Sequence, residues 1–162
     1  MDYKKQLIEK VESFYVDVVE EFKEAELQIA ADSRFKSIFK KKNYDGNIEK
    51  LKDCKKTALS IDVDDEKVSA SDEDTKEVAR RLERCLVMFN GLCDAYIQLQ
   101  VALKKKAEKE ALKFSEYKEI FNKMQACKVS LNGALHDLDL VYTDYAYEEG
   151  DDPYNFLSGD SD

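Results

Sequence analysis

The sequence specifies an all-α fold. Three observations say so: helix breakers are scarce, apolar residues recur alternately three and four places apart over long runs, and Lys, Glu, Leu and Ala are plentiful. Only 5 Gly and 1 Pro interrupt 162 residues, which leaves long helices intact. The expected architecture is an antiparallel helical bundle of three long helices plus one short helix with coiled-coil-like packing. It occupies residues 1–147, and a disordered acidic tail occupies 148–162. A chain of this length can bury a core without disulfides or metals.

The first long helix is expected over residues 2–31. Leu7, Val11, Phe14 and Val18 step by four and three, flanked by Ile8, Tyr15, Phe22 and Ile29, so one broad apolar stripe results. Glu21 interrupts it, and Phe22 and Ala25 resume one place later. A stripe that drifts in this way suits globular packing better than a strict coiled coil. Asp32 and Ser33 mark a bend, and residues 34–42 read as a short helical turn with an aromatic side and a basic side. Asn43-Tyr44-Asp45-Gly46-Asn47 is the clearest turn signal in the chain. The short helix follows over 47–61, with Ile48, Leu51, Cys54, Ala58 and Ile61 on one face. Residues 62–74, rich in Asp and Ser, read as a solvated linker.

Asp74 is placed to cap the next helix, with Glu77 three residues on in the capping-box arrangement. From there Val78, Leu82, Cys85, Phe89, Leu92, Tyr96, Leu99 and Leu103 alternate four and three without a miss. Tyr117, Ile120, Met124, Cys127, Leu131, Ala134, Leu138, Val141 and Tyr145 do the same. Runs this long are the most specific signal in the sequence, and they call for helices packed at shallow angles. Between them the same phase carries Lys106, Glu110 and Lys113. Two arrangements fit. Either the chain turns near residues 113–115, with Ser115 capping the last helix, or one helix of about 70 residues and roughly 100 Å runs straight through. Charged seam residues and ordinary helix lengths favour the hairpin.

The middle of the first run is also apolar away from its seam, through Leu86, Val87, Cys93, Ile97 and Val101. Such a helix is central in its bundle, or another chain covers one of its faces. A short internal echo accompanies it. Cys, Val, Asn and Gly recur at matching places in 85–91 and 127–133, so that Asn90-Gly91 and Asn132-Gly133 both fall mid-helix. A mid-helix Gly costs about 1 kcal/mol relative to Ala. The functional reading is a close helix crossing, a kink or a notch that admits a partner backbone. The plain one is an outward position where the cost is tolerated.

Charge is segregated along the chain. The formal net charge is −9 and the sequence pI about 4.8, which argues against a protein that simply coats nucleic acid or an anionic membrane. Yet Arg34, Lys36, Lys40, Lys41, Lys42, Lys50, Lys52, Lys55 and Lys56 make residues 34–56 basic, and no Lys or Arg follows Lys128. Within the acidic tail, Tyr154, Phe156 and Leu157 are apolar residues that a purely solvating segment has no need of. They suit docking into a partner groove, or folding back on the basic stretch to screen it.

No catalytic constellation stands out. His136 is the only histidine, and neither HExxH nor a Cys/His zinc spacing occurs. Gly133 stands where a di-metal Glu-x-x-His motif needs Glu. The acidic run at 62–66 lacks the glycine and terminal glutamate of a calcium loop. The four cysteines show no CxxC and read as small buried thiols of a reducing compartment. No secretory signal develops near the start, and the longest apolar run, residues 85–89, is too short to span a bilayer.

The expectation is therefore a cytoplasmic, non-enzymatic protein–protein interaction module, an adaptor, regulator or inhibitor, without cofactor or metal. Its partner is another protein, with a helical one or a second copy of the chain as candidates, and no membrane. The candidate partner-binding residues are Arg34, Lys36, Lys40, Lys41, Lys42, Asn90, Gly91, Asn132, Gly133, Tyr154, Phe156 and Leu157. The alternative is a nucleic-acid-associated protein, or an acidic nucleic-acid mimic that inhibits a nucleic-acid-binding partner. An enzyme is the third class.

Overall fold

The computed structural model describes residues 3–34 and 43–147, with side chains at 3–30 and 43–147. In chain order the elements are α1 (Tyr3–Ser13), a π-helical turn (Phe14–Val19), α2 (Glu20–Arg34), α3 (Tyr44–Leu59), α4 (Asp65–Ser69), α5 (Glu73–Ala107) and α6 (Phe114–Ala146). The described residues are all helix and connections, and the helices pack against one another.

The π turn corrects the drifting stripe. Around Phe14–Val19 the backbone takes an extra residue per turn, and the Glu20 N–H bonds to the Tyr15 carbonyl, five residues back. That one residue is the offset seen at Glu21. Phe14, Val18, Val19, Phe22 and Ala25 all remain buried, because the π turn resets the phase instead of letting the stripe wander.

Several boundaries also move. Asn43 caps α3, its side chain accepting the Gly46 N–H at 3.0 Å, so the supposed turn is the first turn of the helix. Residues 62–74 contain α4, capped by Asp64 through the Lys67 N–H at 3.1 Å. Asp72, not Asp74, caps α5: its backbone is extended and its carboxylate accepts the Thr75 N–H at 2.8 Å. Asp74 already lies inside the first turn, and Glu77 turns away to pair with Arg80 and Arg81. The hairpin is present and the single long helix is not. The turn spans 108–113, with Lys109 at φ 64°, and α6 starts at Phe114 without a side-chain cap, so Ser115 is not its cap.

Directions follow from contacts. Thr75 meets Tyr145 at 2.9 Å and Arg81 donates to the Asp137 carbonyl at 2.6 Å, so α6 runs antiparallel to α5. Asp45 pairs with Lys104 at 2.8 Å and Lys55 with Asp94 at 2.7 Å, so α3 is antiparallel to α5 as well. Phe14 and Phe22 both pack edge-on against Phe89, and Phe22 packs on Tyr96, so the first helical stretch runs parallel to α5. Helix α5 is therefore central, touching α1, α3, α4 and α6. Its seam residues Val78, Leu82, Cys85, Phe89, Leu92, Tyr96 and Leu99 are buried, as the spacing requires. An 18-residue window of α5 reaches a mean hydropathy of 1.3 with half of it buried, a profile that central helices and membrane spans share.

Candidate functional site

The interior is closed chemistry. Asn47 and Gln100, both buried, share a 3.2 Å hydrogen bond, which satisfies polar groups that are costly to bury alone. Neither residue stood out in the sequence, where Asn47 read as a turn. Three tyrosine–carboxylate bonds hold the first stretch to the hairpin. Tyr15 donates to Asp139, Tyr142 to Glu12 at 3.3 Å, and Tyr96 to Glu26 at 2.5 Å, where Lys128 also pairs with Glu26 at 3.0 Å. Burial raises the pKa of Tyr15 and Tyr96, reinforced by the carboxylate each donates to. These hydroxyls stay protonated as donors. Sequence reasoning missed them because the partners lie 70 to 130 positions apart.

Cys54, Cys85 and Cys93 are buried and Cys127 half-buried, all as free thiols. Burial pushes Cys85 up to about 12 and raises Cys93 and Cys54 as well, so the reactive thiolate is suppressed. Among the described residues no group of three or more His, Cys, Asp or Glu is arranged to hold a metal. A cleft of about 230 Å³ between the π turn, α2 and α3 is lined by Asp17, Glu21, Glu24 and Asp53 against Lys50.

Exposed aliphatic residues occur on the first stretch, at Val16 and Leu27, and also on the outer side of the molecule. Val87 lies about 200° around α5 from the buried Phe89, and Val129 about 200° around α6 from the buried Leu131. Leu59, Val87, Val129 and Leu140 are 63%, 66%, 70% and 61% exposed. Two ion pairs show that these exposures share one face. Asp94 lies seven residues beyond Val87, on the same stripe, and pairs with Lys55, one turn before Leu59. Arg84 lies one turn before Val87 and pairs at 3.4 Å with Asp137, one turn after Gly133. Helices α3, α5 and α6 therefore form a layer whose outer face crosses all three.

The register sharpens this. The contacts that align α5 with α6 put Val87 level with Gly133 and Gly91 level with Val129. Those aligning α3 with α5 put Leu59 level with the midpoint of Val87 and Gly91. An apolar belt thus runs across the middle of the layer. Gly91 and Gly133 are exposed, and an added Cβ at either meets nothing within 4 Å. Neither serves a close crossing within the chain, and neither breaks its helix, since α5 and α6 run through them without interruption. They are shallow openings beside the valines. Asn132 is exposed beside Gly133, whereas Asn90 is half-buried with an unpartnered Oδ1.

The remaining candidates are not brought to this belt. Arg34 is the last residue of α2, and Lys36, Lys40, Lys41, Lys42, Tyr154, Phe156 and Leu157 lie outside the described residues. Their connections are informative. Arg34, Asn43 and the α5–α6 turn share one pole of the molecule, while Tyr3, α4 and Tyr147 share the other. The tail therefore leaves α6 about 50 Å from the pole that carries Arg34. No family model, curated protein or solved structure matches the chain.

Proposed function

We propose that the chain is a non-enzymatic interaction module, an adaptor, regulator or inhibitor of the cytoplasm, that binds polypeptide through the outer face of α3, α5 and α6. The observation that carries this reading is the belt. Exposed aliphatic residues scattered singly are ordinary, but Leu59, Val87 and Val129 stand within about one helical turn of a common level, beside two open glycine positions. An exposed apolar grouping of that kind favours an association surface. Behind it, we read the regular seams as an antiparallel bundle with coiled-coil-like packing, a scaffold stiff enough to present a face without reorganising. A photo-crosslinking side chain at Val129, introduced in the native cell, is expected to yield polypeptide adducts, and the same group at Glu24, on α2, to yield none. Equal or absent labelling at the two positions overturns the reading.

A second reading rests on the charge poles. Lys104, Lys105, Lys106, Lys109 and Lys113 stand at the pole of Arg34 and Asn43, and Asp62, Asp64, Asp65, Glu66, Asp72, Glu73 and Asp74 near the opposite one. A nucleic-acid role through the basic pole requires a salt-sensitive shift of a generic duplex or single strand in a native gel. That shift must vanish on replacing Lys40, Lys41 and Lys42 with alanine. No shift at low salt eliminates it.

A further inference from the structure

We propose that the belt is the interface of a homodimer, in which a second copy packs face to face about a two-fold axis perpendicular to the helices. The inference rests on the interaction reading above and names its partner. Self-complementarity is the first argument. An axis through the level of Leu59, midway between Val87 and Gly91, sets α5 and α6 antiparallel on their own counterparts, while α3, which ends at Leu59, meets its counterpart only there. Val87 then faces Gly91 of the second copy, and Val129 faces Gly133 of the second copy, in both directions at once. Each bulky side chain meets an open glycine, and Leu59 meets its own counterpart on the axis. A surface that matches itself under a two-fold is what an isologous dimer requires, and glycine openings let the helix backbones come close.

Charge is the second argument. The same axis brings Arg84 level with Asp94 of the second copy, because these two residues stand equally far on either side of it. Both are exposed, and each already holds an opposite charge in its own chain, Asp137 for Arg84 and Lys55 for Asp94. Across the interface the pairs join into a chain of alternating sign, so none of these four residues meets a like charge. Area is the third. Helices α5 and α6, each about 50 Å long and 8–10 Å wide, offer roughly 900 Å² on one side, comparable to the roughly 800 Å² per partner of a standard interface. The internal echo of Val and Gly in 87–91 and 129–133 gains a reason here, since the pattern must occur on both helices for the relief to match itself.

Sedimentation equilibrium of the full chain tests this. Wild type is expected at twice the 18.7 kDa chain mass. The double variant Val87→Glu, Val129→Glu is expected at the single mass with an unchanged circular dichroism spectrum, because both positions are exposed. Arg84→Glu alone, and Asp94→Arg alone, each weaken association by about tenfold through like-charge contact, and combining them restores it. A wild-type chain that stays monomeric up to about 0.5 mM overturns the dimer, and so does a double variant that remains dimeric at wild-type affinity. Failure of a charge-swap rescue, with the other results as expected, overturns the antiparallel axis. A monomer that still yields cross-links to a different polypeptide at Val129 sinks the dimer alone, whereas a monomer without adducts sinks the interaction reading with it.

Discussion

Helix α5 presents two faces built from similar residues and used in opposite ways. Its inner face carries Phe89 and Tyr96 against Phe14 and Phe22, with ring centroids 5.3–6.0 Å apart. Its outer face carries Val87 and Gly91 against nothing among the described residues. The inner face is over-determined: each ring is held by several neighbours, and its position follows from the three–four spacing. On the outer face the ion pairs Asp94–Lys55 and Arg84–Asp137 tie α5 to its neighbours, but the exposed Val87 and the open Gly91 between them take no part in those ties. The difference teaches that on a central helix the residues that fold least are those to examine for function.

The largest way to test that contrast is truncation. Phe89→Ala removes the ring at the centre of the aromatic cluster and is expected to cost about 3–5 kcal/mol, while Val87→Ala two residues away stays within about 0.5 kcal/mol. Urea unfolding midpoints of the two variants check this, and comparable losses would erase the distinction. A smaller effect comes from the polar bond inside. Asn47→Ala strands the Gln100 carbonyl oxygen, at a cost of about 1–3 kcal/mol in the same assay.

The glycines make the contrast sharper, because the same substitution should change sign. At Gly46 an added Cβ would stand 2.3 Å from Asn43 Nδ2, the side chain that caps α3. Gly46→Ala is therefore expected to destabilise by about 0.5–2 kcal/mol through loss of the cap. At Gly91 the space is open, and Gly91→Ala is expected to stabilise the chain by about 0.5–1 kcal/mol. Thermal unfolding of both variants reads the two signs.

The smallest effects are those of surface carboxylates with pH. Desolvation, then Asp65 beside it, raises the pKa of Glu83. A carboxyl raised in the folded state costs stability once pH exceeds its folded pKa, and the cost is relieved as pH falls through that value. Glu83→Gln is thus expected to raise the urea midpoint at pH 7 and to change it little at pH 3. Glu77 is the opposite case, held below the usual range by hydrogen bonds from Arg80 and Arg81. Its contribution is present above the unfolded pKa and lost as pH falls through the folded one, so Glu77→Gln lowers the midpoint at pH 7 and not at pH 3.

How much of this was legible in the sequence depends on which physics wrote it. The seams of α5 and α6 could be read residue by residue, because burial follows helical periodicity. So could the central place of α5, from apolar residues such as Leu86 and Ile97 beside its seam. The π turn left a trace, the one-place slip at Glu21, which admits drift equally well until the backbone bond from Glu20 to Tyr15 is seen. Capping was less legible. Asp72 and Asp74 are chemically alike, and only the extended backbone at Asp72 selects between them. The belt was legible as an echo of Val and Gly but not as a surface. Its coherence depends on the register of three helices, which long-range pairs such as Lys55–Asp94 and Arg84–Asp137 establish.

The central claim, that the outer face of the α3–α5–α6 layer is kept for association and not for folding, is tested most directly by the double variant Gly91→Ala, Gly133→Ala. Both openings are filled by one methyl group each, in space where the isolated chain has room. Sedimentation equilibrium of this variant, beside its thermal unfolding, is the decisive measurement. The expected result is a chain that unfolds at a higher temperature and associates more weakly than wild type. Equal or higher stability with association intact would contradict the claim.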